Sequence, residues 1–486
     1  MVITCQQKIM ELFRVKLLIA LMIMFFSYSA YAKNKKEITI NIDAPIIKID
    51  PSDINDSNAS WVILNVGRRL VENNLDGETI GSLAKSWTVD NLKKNWTFQI
   101  NPNYYFTDGS KVTTHDIVES LNKTILNKQN NRLKHYLQFM DSAKYLAEDK
   151  VQITLKKPLI NFLQIIADAG FTIHKKCMNN YKICFTKENL ELISLSEKSI
   201  IIKNNLNEQI IRILPLSMDN AISMFRNQEL DVLHNYGLEG LEYIKSLTSN
   251  TTVTVPHERT YYIAFNDKSS KFSKKREISK NCIDNFKTDT LADYLKDINI
   301  EFNESLLSSI LTPLNFHQTK IKNTKNNKCP YPLNAISIKS YNIGKWINMV
   351  FDKNKVNHLS YDKKEYLEQI KNNNYDISIN GYGITIRDIE YLATLFYSKS
   401  NHNYARVSDA NIDKLIEGAL TAHSRNEKNL IFKKILEINE NEGYYKGMFH
   451  TPLIYILQNK IVFEGKNKSQ TLMSPFLNIQ KISRQD

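Results

Sequence analysis

The chain carries none of the short signatures that announce common chemistries. It has no G-x-S-x-G elbow, no H-E-x-x-H pair, no G-x-x-x-x-G-K-[ST] loop and no G-x-G-x-x-G turn. Ser, His and Asp are scattered without a spacing that favours a triad. His115 stands beside Asp116 at a helix start, where a surface or capping role outweighs a catalytic one, and His135, His174, His234 and His257 fall in separate segments, so nothing in the spacing supports a metal. No two cysteines stand at C-x₂₋₄-C spacing, which speaks against a four-cysteine zinc site. There is no internal repeat and no low-complexity linker, so any domains are interleaved rather than strung out. Long apolar runs are nearly absent too: the one present, Leu17–Phe26, is well short of the ~20 residues that span a bilayer.

That single run is informative. Lys8, Arg14 and Lys16 precede LLIALMIMFF, and Ser27-Tyr-Ser-Ala-Tyr-Ala32 follows it with small residues at Ala30 and Ala32. A basic start, a short apolar core and an A-x-A site make a secretory signal peptide over 1–32. The mature chain is expected to begin near Lys33 as a soluble periplasmic protein. No cysteine lies near the cleavage site, so a lipid anchor is not expected.

The 486 residues are enough for two or more cored domains, and 42% hydrophobic with 24% charged residues is an ordinary globular composition. The formal net charge of +13 falls by about two with the signal. The surplus is spread along a Lys- and Asn-rich chain rather than gathered in a block, and an exported protein seldom meets nucleic acid, so no nucleic-acid partner is expected. Of five cysteines, Cys5 lies in the signal. Cys177, Cys184, Cys282 and Cys329 remain for an oxidising compartment and allow three pairings. Cys177–Cys184 is the easiest loop to close, with Cys282–Cys329 as its companion. The 24 tyrosines could stack on or hydrogen-bond a ligand, or simply pack strand edges.

Along the mature chain, periodicity predicts strands at Lys36–Ile42, Trp96–Ile100 and Val151–Leu155, and helices at Ala59–Leu70 and Leu159–Ala169. Asp108-Gly109 marks a turn, and Thr113 and Thr114 can cap a helix opening near Asp116, with Ile117, Val118 and Leu121 as its apolar face. Further on, Ser199–Ile202 and Gln209–Leu214 read as a strand pair, Met218–Asn227 as a helix, Leu230–Leu233 as a strand, and Thr251–Phe265 as extended with a Pro interruption. Asn281–Pro332 has no firm period. Strands are then expected at Ala335–Lys339, Val356–Leu359, Tyr375–Ile379 and Met448–Gln458, and helices at Ile343–Phe351, Lys363–Asn372, Asn411–Ala422 and Glu427–Asn439. Strands alternating with helices indicate an α/β architecture.

Four pieces in order carry a resemblance: Leu83-Ala-Lys-Ser-Trp87, Trp96-Thr-Phe-Gln-Ile100, Phe106-Thr-Asp-Gly109 and Thr113-Thr-His-Asp-Ile-Val-Glu-Ser-Leu121. Together they resemble the signature of the family 5 extracellular solute-binding proteins, the peptide- and nickel-binding class serving ABC importers. Ile49-Asp50-Pro51 with Val66–Val71, Glu229-Leu-Asp-Val232, Tyr261–Asn266, Asp376–Phe396 and Asn411–Ala419 are similar to further parts of that pattern. The likeness fades between about Lys280 and Lys328. It implies a two-lobed periplasmic-binding-protein fold of α/β type with an additional small insert domain. Lobe I would comprise 33–50, 155–264 and 455–486, the insert 51–154, and lobe II 265–454.

The resemblance further implies a monomeric protein, not an enzyme and without a cofactor, that captures a peptide or other small solute between its lobes and delivers it to an inner-membrane ABC permease. In peptide-binding members a Trp-x-x-Asp in the cleft pairs with the peptide's ammonium. The matching run here is Tyr382-Gly383-Ile384-Thr385, so Thr385 stands where the carboxylate is usual. Asp388 matches the next acidic position and could substitute, whereas Arg387 favours a carboxylate or phosphate. The segment after Pro51 also lines the family's cleft, adding Asn55, Asp56 and Ser57. Two other readings stay open. One is a non-transport sensor or chaperone on the same fold. The other is an exported hydrolase, which needs a nucleophile and base within hydrogen-bond reach.

Overall fold

The computed structural model describes residues 37–73 except 55, 78–127, 133–177, 183–235 except 188, 251–272, 332–339, 356–383, 389–464 and 479–484, with isolated positions between them. The expected signal peptide, the helix expected at Ile343–Phe351, Cys282 and Cys329 lie outside the described residues.

The chain opens on strand β1 (Glu37–Ile42), which is buried along nearly its whole length, with Ile38, Ile40 and Ile42 on one face and the hydrogen-bonded Thr39 and Asn41 on the other. Residues 43–56 lead to helix α1 (Ser57–Val66), capped by Asp56, whose Oδ1 accepts from Ala59 N at 2.9 Å. Apolar periodicity extends this helix to Leu70, yet it stops at Gly67, which lies extended. Only glycine fits at this position: a Cβ there would sit 2.5 Å from Thr172 Cγ2. Arg68 N instead donates to Thr186 Oγ1 at 2.7 Å, and the chain runs on into a small hairpin of Val71–Asn73 with Thr79–Gly81.

The insert follows. Strands β2 (Ala84–Val89) and β3 (Asn95–Ile100) precede helix α2 (Thr114–Leu126), and β4 (Met140–Ala147) and β5 (Lys150–Leu155) complete an antiparallel sheet in the order β2-β3-β5-β4. Gly109 takes the left-handed conformation (φ 84°) that the turn requires. Thr113 and Asp116 form a full capping box, and α2 lays Ile117, Leu121 and Ile125 into the insert's core. The helix expected over Leu159–Ala169 is shorter, α3 (Phe162–Ile166), with a separate turn at Ala169–Phe171. Asp168 breaks it: its carboxylate accepts from Gly170 N at 2.9 Å, a local bond that competes with helix. The sulfurs of Cys177 and Cys184 are joined.

Nine further strands join β1 in one ten-stranded sheet, with helices between them. They are β6 (Leu190–Leu195), β7 (Ile200–Asn204), β8 (Gln209–Pro215), helix α4 (Met218–Arg226), β9 (Val232–Asn235), β10 (Thr251–Phe265), β11 (Leu333–Ile338), β12 (Val356–Tyr361), helix α5 (Lys363–Asn372), β13 (Ile377–Gly383), helices α6 (Tyr391–Phe396), α7 (Ala410–Leu420) and α8 (Arg425–Glu442), and β14 (Tyr445–Leu457). The order is β6-β7-β8-β1-β9-β14-β10-β13-β11-β12.

Two long neighbours carry this sheet from one lobe to the other. Thr251–Val255 of β10 pairs with Leu453–Leu457 of β14, beside β9; Arg259–Ala264 pairs with Tyr445–Thr451, beside β13. The register shifts between Val255 and Arg259. We propose that the lobes divide at this shift, a few residues before the boundary expected at 264/265. On the first side, Asp231 ties the sheet together: its Oδ2 accepts from Thr39 N at 2.9 Å and its Oδ1 from Arg484 Nη2 at 2.5 Å. That accounts for the acidic residue in Glu229-Leu-Asp-Val232. Lobe I has its own apolar core around Ile38, Ile40, Trp61, Ile211 and Ile213, while the insert and lobe II share a second.

Candidate functional site

In lobe I, β1 runs parallel to β8 and β9, and the segment 43–56 leaves the carboxyl end of β1. In lobe II, β11 runs parallel to β12 and β13, and α5 opens directly after the carboxyl end of β12. Ligands of α/β sheets bind outside the carboxyl ends of such strands. Here one contact joins the two sides: Lys363 Nζ, first residue of α5, donates to Asp56 Oδ2 at 2.7 Å.

Asp56 thus does two things, capping α1 with one oxygen and meeting the opposite lobe with the other. Ser57 opens α1 beside it. In lobe II, Tyr382 and Gly383 are the last residues of β13, opposite Thr260 and Arg259 of β10. Tyr382 stacks on Tyr391 (centroids 5.8 Å, 17°) and meets the edge of His402 at 6.0 Å. Gly383 is exposed, with open space where a Cβ would be, whereas a Cβ at Gly381 would lie 2.9 Å from Tyr261 and 3.2 Å from Arg259. Asn55, Thr385, Arg387 and Asp388 lie outside the described residues. Sequence reasoning did not single out Lys363, Tyr391 or His402. Lys363 could have been found from its place at the end of a strand read as part of an α/β unit; the aromatic pair carried no such signal.

Beside the crossing, His234 of β9 is buried flat against Tyr455 (4.3 Å, 14°), with Trp61 at 6.2 Å. Burial, with the Arg259 cation adding to it, pushes its pKa down to about 3, so the imidazole is neutral. Tyr391 is pushed well above the usual phenol range by burial.

One cluster has the residue types of a hydrolase. Ser120 Oγ lies 3.1 Å from His174 Nδ1, and His174 Nε2 lies 3.6 Å from Asp50 Oδ1. However, Nδ1 is also 2.9 Å from the Thr172 carbonyl, which can only accept, so Nδ1 carries the proton and is no base toward Ser120. Ser120 Oγ in turn accepts from His174 N at 3.1 Å, and both side chains are buried. The cluster fastens α2 to the strand His174–Lys176. Among the described residues no three His, Cys, Asp or Glu side chains gather as a metal site.

Residues 78–195 match the family model described as bacterial extracellular solute-binding proteins, family 5 Middle. The chain is 27% identical over 191 residues to the nickel-binding periplasmic protein of Escherichia coli, covering 35% of this chain and 36% of that one. It is 21% identical over 279 residues to the periplasmic oligopeptide-binding protein OppA of Salmonella typhimurium, covering 50% and 51%. The match thus spans about a third to a half of the length of these relatives. In structure it is similar to the murein tripeptide-binding protein MppA of Escherichia coli, at TM-score 0.77, 15% identity and coverage of 93% of this chain and 99% of that one. Against the unliganded open form of MppA the score is 0.61, at 16% identity and coverage of 93% and 98%.

Proposed function

We propose that this chain, which belongs to the family 5 bacterial extracellular solute-binding proteins, captures a peptide or related solute between its lobes in the periplasm and delivers it to an inner-membrane ABC importer. The observation that carries the reading is that the segments following two sets of parallel-strand ends meet at the Asp56–Lys363 contact. Binding there selects the closed arrangement, which the importer reads, and no covalent step is needed. Asn55, Asp56, Ser57, Tyr382, Gly383, Thr385, Arg387 and Asp388 line the cleft in this reading. Asp388 supplies the carboxylate that Thr385 lacks.

The test is thermal shift of the mature protein against a peptide library, with an Asp388→Ala arm. Stabilisation by peptides with a free ammonium, lost in Asp388→Ala while folding stays intact, is expected. No stabilisation by any peptide refutes peptide capture, and equal stabilisation of both proteins refutes the role of Asp388. A second reading, a sensor or chaperone on the same fold, rests on Thr385 standing in place of the usual carboxylate; the absence of permease and ATPase genes beside this one would favour it.

A further inference from the structure

The insert and lobe II meet at a second place, around one carboxylate. Glu390, directly before α6, is 1% exposed. Its Oε2 accepts from Tyr136 Oη at 2.8 Å, and its Oε1 from Asn161 Nδ2 at 2.7 Å and Lys428 Nζ at 3.0 Å. Lys428, on α8, is fully buried. Beside them Tyr397 Oη donates to Gln138 Oε1 at 3.0 Å, and the apolar residues around belong to one core continuous between insert and lobe II. The carboxylate is therefore dry and fully coordinated by donors.

The chain path decides what this contact can mean. Lobe II joins the rest of the chain through β10 and β14, and the insert joins lobe I through 43–56 and the segment after β5. No covalent segment runs directly from insert to lobe II. Glu390 and Lys428 both belong to lobe II, so they stay together whatever the lobes do. Tyr136 and Asn161 come from the other side and reach Glu390 only in one orientation of the lobes.

A buried ion pair is tolerated only when its remaining valences are satisfied, and hydrogen bonds to a charged group are the strong kind. In a parted arrangement water would replace the two outside donors. In a misaligned one Glu390 would be buried and short of them. The contact therefore favours one docking and disfavours its neighbours. The Lys363–Asp56 pair cannot do this, since the Lys363 side chain is 52% exposed and such pairs contribute little.

We propose that Glu390 is a closure latch: docked on Tyr136 and Asn161, it holds the lobes shut and makes closure a two-state event that the protein populates on its own. This deepens, and rests on, the solute-capture reading. It assigns Glu390, Tyr136 and Asn161 the regulation of access to that cleft, although none of them lines it.

The test places spin labels at exposed Lys144 and Lys434 through a chemistry that spares the native cysteines, and reads the distance distribution by double electron–electron resonance without added solute. The wild-type protein should show short and long populations. Tyr136→Phe should lower the short-to-long ratio about tenfold, and Tyr136→Phe with Asn161→Ala further. Circular dichroism and melting temperature establish that each variant folds, and the conservative Tyr136→Phe carries the result where the double variant does not. An unchanged ratio in the variants overturns the latch. So does a wild-type protein with only the long distance, or with only the short one. Because no solute is present, this outcome is independent of the peptide-library result.

Discussion

His234 ties stability to pH in a way that can be measured. Its imidazole ordinarily titrates near 6.5 and here only at about 3, because burial, and then the nearby Arg259 cation, disfavour the charged form. In the unfolded chain the ring takes up a proton as pH falls through 6.5, while the folded chain does not. Above 6.5 the residue is without effect. Below it the folded state loses about 1.4 kcal/mol for each pH unit until about pH 3. Between pH 7 and pH 5 the loss is about 2 kcal/mol. His234→Phe keeps a ring against Tyr455 and removes the titration. Urea unfolding of both proteins at pH 7 and pH 5 isolates the effect, because His174 and His358, also lowered by burial, are common to both and cancel. The wild type should lose about 2 kcal/mol more than the variant. Parallel losses, or an excess loss that appears only above pH 7, would refute the assignment.

Two further outcomes concern stability alone. Gly67→Ala should destabilise by about 1–3 kcal/mol in urea unfolding, since its Cβ would enter Thr172 and Phe185; a neutral result would show that these side chains yield freely. Replacing Cys177 and Cys184 together by Ser opens a bridge of sequence separation 7 and should cost about 2–3 kcal/mol by the same assay, and a loss below about 0.5 kcal/mol would contradict the loop-entropy account.

The sequence revealed what is local. Thr113 and Asp116 are three residues apart, and a capping box needs nothing else, so the start of α2 was legible. The pairing of β7 with β8 was legible for the same reason. The end of α1 was not: just past Gly67 the amide of Arg68 is taken by Thr186, more than a hundred positions on. Within the candidate site, Asp56 was named from the family pattern, but its partner Lys363 is separated from it by 307 positions. Tyr136 and Glu390, separated by 254, carry no shared periodicity or motif that could have joined them. Their meeting is a property of how the lobes dock, which no window of sequence contains.

The position of β14 in the sheet has a bearing on when this protein can fold. It lies between β9 and β10, so the half of the sheet that begins with β1 at Glu37 stays incomplete until the strand from Tyr445 to Leu457 has been synthesised. Asp231 waits longer still, for Arg484. Pairings so distant along the chain form slowly. An emerging polypeptide therefore cannot complete its first lobe until Tyr445–Leu457 and then Arg484 have left the ribosome. For a protein that we propose is threaded across a membrane before it folds, the topology itself delays folding and keeps the chain competent for transit.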